Sequence, residues 1–359
     1  MSLPGDGFFR SDYSVGEKLL HHMALSLPWV RKASFDVDGL FTKDIEWPAN
    51  RKHVFICGLA RAGTTILMRA FYQTGQFRSL TYRDMPFVLM PLVWHQLTKA
   101  SQKKGVLRQR THGDGITIDY DSPEAFEEVF WHTYAGRDYI HNDKLVPHIA
   151  SKDLIERFRI YVNRILQGAN ETGKSRYLSK NNNNILRLSS IQGAFPQALI
   201  IIPFRDPIQQ SNSLFEQHQR FCDIHRNDKF SCQYMRWLGH HEFGLTHRPF
   251  EFDDSENAVT LTDRPGSINY WLSLWNSTYR YLLKMAPANS VFSCHEELCE
   301  HPDTNLNYLF ELAQVPREGG MSNLERRTLA KRHMPLVDEA LWRDGQMIYD
   351  ELKVRGRKH

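Results

Sequence analysis

The chain has 359 residues, 41% of them apolar, and a formal charge of +4, enough for one large α/β domain or two ordinary ones. No apolar run approaches a membrane span, and so small a charge excess argues against broad nucleic-acid binding and for locally placed cations. The five cysteines (Cys57, Cys222, Cys232, Cys294, Cys299) form no CxxC pair. With an N-terminus that lacks the charged-then-apolar order of a signal peptide, they suggest a reducing, cytoplasmic setting.

In chain order, "HVFICG" (53–58) reads as a strand, 65–74 as a helix and "FRSLTY" (77–82) as a second strand. "SPEAFEEVFWHTYA" (122–135) has the signature of a helix start, with Ser122 as N-cap, Pro123 at the first helical position and glutamates in the first turn. Residues 152–166 carry apolar side chains on one helical face. "RYLSK" (176–180), "ALIIIPF" (198–204) and "SVFSCH" (290–295) follow as strands, with an aromatic-rich helix over 266–285 between the last two. The uninterrupted apolar runs at 53–58 and 198–204 are the mark of buried parallel strands. The alternation predicts a three-layer α/β/α fold around a parallel sheet. Segments 84–150 and 222–265 break the pattern and read as insertions that wall an acceptor pocket within one domain spanning 1–359. Trp94, Trp131, Tyr134, Trp237, Trp271 and Trp275 are wall candidates, although rings at helical spacing equally fill a core.

Seventeen histidines are scattered along the chain. His240-His241 and the set His218, Cys222 and His225 invite a metal reading. No second cluster completes a four-ligand set, so solvated loop histidines are the better account.

After the first strand, Gly58 and Gly63-Thr64-Thr65 keep the spacing G-x-x-x-x-G-K-[ST], with Thr64 where the lysine belongs. A strand, glycine turn and helix start offer backbone N–H groups and a positive dipole end to an anion. Loss of the lysine weakens the case for Mg-nucleoside-triphosphate chemistry, while Arg61 suits a tetrahedral oxyanion. Alone, the same pattern fits a plain buried glycine turn. Arg205-Asp206-Pro207 ends a second buried strand, and Ser213 follows eight residues after the arginine. That pairing fits a second phosphate site, or else an Arg-Asp helix cap with Ser211 and Ser213 solvated. Two sites on one sheet suggest a nucleotide phosphorylated at both 5′ and 3′ positions.

Together these motifs resemble the sulfotransferases that use 3′-phosphoadenosine 5′-phosphosulfate (PAPS). Arg61-Ala62-Gly63-Thr64-Thr65 is similar to their [KR]-x-G-T-T loop, and Arg205 with Ser213 to their 3′-phosphate motif. "SKNNNNILRLSSIQGAFPQALI" resembles the K-x-P…FP-x-A segment and puts Lys180 at its lysine; "SCHEELCEHPDTNLNYLFELAQV" resembles the stretch around E-D-L. The likeness runs from about residue 53 to 315. An asparagine replaces the proline after Lys180, His295 replaces a tyrosine, and only 317–327 faintly echoes the R-K-G-x-x-G segment. The pattern is nearer the bacterial and Golgi-type branches than the cytosolic one.

The resemblance implies in-line sulfuryl transfer from PAPS, without a metal, to a hydroxyl or amine of a small-molecule or carbohydrate acceptor. It implies that Arg61 and the loop from Ala62 through Gly63 and Thr64 to Thr65 hold the 5′-phosphosulfate. Arg205 and Ser213 would hold the 3′-phosphate, and Lys180 would face the bridging oxygen. For the general base it offers Asp84 by the Golgi-type spacing or His112 by the cytosolic habit, with Glu127 and Glu128 behind. On a helix Glu127 shares a face with Phe130 while Glu128 turns away. Plain alternatives are a salt bridge from Asp84 to nearby arginines, helix-start charge for the glutamates and an exposed Lys180. A degenerate P-loop kinase and a non-catalytic nucleotide binder are the competing classes; the joint presence of Arg61, Lys180, Arg205 and Ser213 favours the transferase.

Overall fold

The computed structural model describes residues 13–45, 51–99, 122–168, 174–252, 264–315 and 336–356, together with a two-stranded antiparallel ribbon of Arg108–Gln109 and Thr117–Ile118. All five expected strands form one sheet: β1 (Val54–Ile56), β2 (Phe77–Arg78), β3 (Arg176–Lys180), β4 (Leu199–Phe204) and β5 (Ser290–Cys294). They lie in the order β2-β3-β1-β4-β5 with every pairing parallel.

Because side chains alternate across a strand, the sheet feeds two cores. Val54, Ile56, Leu178, Ile201 and Val291 face one side and pack with α3 (Thr64–Gln73) and α12 (Pro302–Leu312) through Leu67, Phe71, Leu306 and Leu309. Phe55, Tyr177, Ile200, Ile202 and Phe204 face the other. There they meet α5 (Glu128–Tyr139), α6 (Lys152–Gly168), α7 (Leu188–Ala194), α8 (Pro207–Asn227), α10 (Ile268–Met285) and α13 (Glu339–Gly356). All six β4 residues are buried, each aliphatic one contributing roughly 1.5–3 kcal/mol of transfer free energy. The fold is therefore the three-layer α/β/α arrangement with a central parallel sheet. Shorter helices complete it: α1 (Val15–Ser26), α2 (Pro28–Gly39), α4 (Pro91–Thr98), α9 (Lys229–Trp237) and α11 (His295–Glu300).

Two expectations need correction. The second strand ends at Arg78, because Thr81 leaves the sheet to bridge Pro123 and Tyr82–Asp84 closes a turn. The helix expected from Ser122 begins only at Glu128; Pro123 sits in that bridge, and Glu124 N donates to Leu80 O at 3.1 Å. A proline fits an extended bridge as readily as a first helical turn, and the bridge turns Glu124 toward the end of β3. Of the aromatic wall candidates, Trp131 and Trp275 are wholly buried core.

Candidate active site

The carboxyl ends of β1, β3 and β4 are adjacent in the sheet, the position where open α/β folds place their ligands. The glycine turn leaves β1 there. Gly63 is the N-cap of α3 at φ 87°, and a Cβ on it would stand 2.8 Å from His295 Nδ1. Gly58 is pressed just as closely, its missing Cβ lying 2.9 Å from Pro203 O. Arg61 also has a positive φ, 70°, an uncommon state for a side chain this large and one held by its surroundings. One of them is explicit: Arg61 Nε donates to Ser213 Oγ at 2.9 Å. The turn and the first windings of α8 are thereby tied together. Gln210 ties them again, its amide donating to Ala60 O at 2.9 Å while its oxygen accepts from Trp275 Nε1 at 2.9 Å.

Beyond β4, Pro207 opens α8 as expected and Asp206 caps it, accepting from Gln209 N at 2.9 Å. Arg205 does not pair with Asp206; its Nε lies 3.9 Å from Glu296 Oε1, the oxygen that also accepts Asp206 N at 3.1 Å. Ala62, Gly63, Thr64 and Thr65 occupy the turn and the first positions of α3. The structure thus gathers Arg61, Ala62, Gly63, Thr64, Thr65, Arg205 and Ser213 at one edge of the sheet.

Lys180 ends β3 beside Ile56 of β1. It is 9% exposed, which removes the exposed-lysine alternative, and its Nζ lies 3.5 Å from Glu124 Oε1. The four asparagines after it are all buried, and each side-chain amide reaches a different partner. Asn181 donates to Glu128 at 2.7 Å, Asn182 to Glu242 at 3.1 Å, Asn183 to Gly239 O at 3.1 Å and Asn184 to Glu127 at 3.1 Å. The asparagine run is a hub that ties the lysine's strand to both inserted segments.

Glu127 and Glu128 both point inward, contrary to the one-face expectation. α5 starts at Glu128, so Glu127 precedes the helix and the simple helical wheel does not govern it. Glu127 accepts from Trp131 Nε1 at 3.1 Å and Tyr177 OH at 2.8 Å. Glu128 takes a two-pronged bond from Arg187 at 3.0 and 3.1 Å and another from Tyr139 OH. Both carboxylates are spent on the core. Asp84 is similarly engaged: it accepts from Arg78 Nη2 at 3.0 Å, Thr81 N at 2.7 Å and Thr81 Oγ1 at 3.0 Å. It thereby braces the turn that carries the Thr81–Pro123 bridge, and Glu124 stands over Lys180. His112 lies outside the described residues, as does the 317–327 echo.

Sequence reasoning passed over Glu124, whose disguise was a helix-start pattern, and misjudged the histidines. His218 Nδ1 accepts Gly244 N at 3.3 Å and His225 Nδ1 accepts Leu245 N at 3.1 Å, so these rings hold a loop. His240 Nδ1 lies 3.4 Å from Glu242 Oε1. Burial pushes the Glu242 carboxyl up, but the His240 charge and hydrogen bond, helped by Lys180, bring it down to about 2. Burial pushes His240 down, yet Glu242 outweighs it and leaves the imidazole above its ordinary value, with Lys180 opposing and Glu124 assisting. Lys180, Glu124, His240 and Glu242 therefore act on one another as one charged cluster. Glu242 also lines a shallow recess whose other walls include Leu59, Ala60, Phe243, Trp271 and Leu274.

Fold and site define an α/β protein with a glycine turn and a second basic corner at the carboxyl edge of a parallel sheet, an arrangement whose helix N-terminus and backbone amides suit an anion. The family model described as "Sulfotransferase family" matches residues 53–256, and the chain belongs to that family, whose chemistry is sulfuryl transfer. Among solved structures the chain is similar to sulfotransferase STF1 from Mycobacterium tuberculosis, at 13% identity over 99% of this chain and 88% of that one, TM-score 0.46. It is also similar to sulfotransferase STF9 from Mycobacterium avium, at 14% identity over 84% and 74%, TM-score 0.45. No curated protein matches.

Proposed function

We propose that the protein transfers a sulfuryl group from PAPS to a hydroxyl or amine of a small-molecule acceptor. The observation that carries this reading is the Arg61–Ser213 bond at 2.9 Å, which joins the glycine turn and the arginine-serine helix into one continuous edge. The positive end of α3 and the loop amides from Ala62 to Thr65 suit a 5′-phosphosulfate, and Arg61 adds a fixed positive charge. Arg205 and Ser213 suit a 3′-phosphate, so the residues present fit the donor. Lys180, buried at the end of β3 beside β1, would offer its ammonium to charge developing on the bridging oxygen, the electrostatic role of a fixed cation in a sheltered site. PAPS supplies the activated sulfuryl group; the loop, Arg61, Arg205 and Ser213 bind and orient it. Less charge sits on a sulfuryl than on a γ-phosphoryl group, which is why a loop lacking the usual lysine suffices.

The deciding experiment is calorimetric titration with adenosine 3′,5′-bisphosphate in EDTA beside Mg-ATP. Micromolar binding of the bisphosphate that is lost in Arg205→Ala, with ATP far weaker, supports the reading. A preference for Mg-ATP would overturn it in favour of a kinase.

A further inference from the structure

We propose that the His240–Glu242 pair removes the proton from the acceptor, and that the acceptor is an apolar alcohol or phenol held in the recess that Glu242 lines. The proposal rests on the sulfuryl-transfer reading above and adds the proton acceptor and the acceptor class. Its geometry is that of an oriented base. Glu242 Oε1 stands 3.4 Å from His240 Nδ1 and is itself fixed by Asn182 Nδ2 at 3.1 Å. The carboxylate engages Nδ1, which leaves Nε2 as the ring nitrogen that can take a proton. Asn182 stands two residues after Lys180, so the same turn sets both the lysine and the pair. Each of the two side chains is 12% exposed.

The recess supplies the other half of the argument. Leu59 and Ala60 come from the glycine turn, and Phe243, Phe250, Trp271 and Leu274 add apolar walls, while Asn182, His247 and Arg248 complete the lining beside Glu242. The predominance of apolar walls favours a hydrocarbon or aromatic body over a polyhydroxylated sugar, most of whose hydroxyls would lose water against carbon. In the reaction the acceptor oxygen forms a new O–S bond while the S–O bond to the phosphate breaks. The bonding pair leaves with the phosphate oxygen near Lys180, and the acceptor's proton passes to His240 Nε2, giving an imidazolium beside ionised Glu242. Lys180, Glu124 and Glu242 are the charged groups that act on His240, so they set the pH at which it works.

The test uses the full chain with PAPS and three probe acceptors, 2-naphthol, 4-nitrophenol and 1-octanol. Adenosine 3′,5′-bisphosphate affinity is measured in every variant as a check on folding and on the underlying reading. His240→Asn and Glu242→Gln are expected to bind the bisphosphate within about twofold of the unmodified protein and to lose about 10²-fold or more in kcat with little change in KM. The acid limb of the pH–rate profile should move to lower pH in Glu242→Gln and vanish in His240→Asn. An unchanged limb in His240→Asn, or a limb lost only in Glu124→Gln, would overturn the assignment. So would an unmodified protein that binds the bisphosphate yet turns over none of the three probes. Failure of the unmodified protein to bind the bisphosphate would instead strike the sulfuryl-transfer reading itself.

Discussion

Removing Glu128 tests how the lysine's strand is supported. Arg187 is wholly buried, stacked 4.8 Å from the Trp131 ring and 4.6 Å from the Tyr139 ring, and Glu128 is its counter-charge. Glu128→Ala strands that guanidinium, removes the acceptor of Tyr139 OH and leaves the Asn181 amide only its longer bond to Asn184 Oδ1 at 3.3 Å. Breaking a fully buried pair from one side costs about 3–5 kcal/mol, a large part of the roughly 5–15 kcal/mol that holds a domain folded. With a urea slope of about 3 kcal/mol/M, the midpoint should fall by more than ~1 M. Glu128→Gln, which restores an oxygen but no charge, should fall nearly as far, and Glu128→Met with Arg187→Met should recover part of the loss. Burial raises the Glu128 carboxyl, but Arg187 together with Asn181 and Tyr139 brings it below its ordinary value. The pair's contribution is therefore present above the unfolded value near 4.5 and is lost as pH falls through the lower folded value. A loss under about 1 kcal/mol for Glu128→Ala, the range of a surface pair, would refute the reasoning.

Four further outcomes are expected. Lys180→Ala should lower kcat by about 10²–10³ while bisphosphate affinity, read by calorimetry, changes little. Ser213→Ala should weaken that affinity by about 1.5–3 kcal/mol, since it removes a hydroxyl bonded to a charged group. Gly63→Ala should abolish bisphosphate binding even when combined with His295→Ala, because relieving the 2.8 Å clash leaves the φ of 87° in place. His53, buried and accepting Tyr177 N at 2.8 Å, is held down to about 3 by burial and by Arg51 and Arg176. Its unfolded state binds the extra proton, so stability is full above pH ~6.5 and declines below it by up to ~1.4 kcal/mol per pH unit. Chemical denaturation of His53→Asn from pH 7 to 5 should show a shallower decline by that amount.

The sheet was legible because burial writes itself locally: runs such as Ile200 to Ile202 are apolar on both faces and admit few other settings. The phosphate edge was legible for a related reason, since glycine, arginine and proline each have a backbone role at a strand end. What could not be read were partners distant in sequence. Nothing in the neighbourhood of Glu124 announces Lys180, fifty-six positions on by subtraction of their numbers, because the Thr81–Pro123 bridge that joins them is tertiary. Glu127 and Glu128 looked like favourable helix-start charges until Arg187, Asn184 and Tyr177 closed around them. His240 and His241 read as solvated loop histidines because nothing local shows that Glu242, only two positions on, turns back to meet His240 Nδ1 in a sheltered setting.

The asparagine run has a chemical consequence for the ageing of the protein. Hydrolysis of a single side-chain amide would convert a donor into an anion, and at Asn181, Asn182 and Asn184 that anion would face Glu128, Glu242 or Glu127 across a hydrogen-bond distance. Two carboxylates so placed cannot both stay ionised without strain. Deamidation here, elsewhere a silent lesion, would register as functional decay, and stored samples should lose their active fraction in step with the mass gained at 181–184.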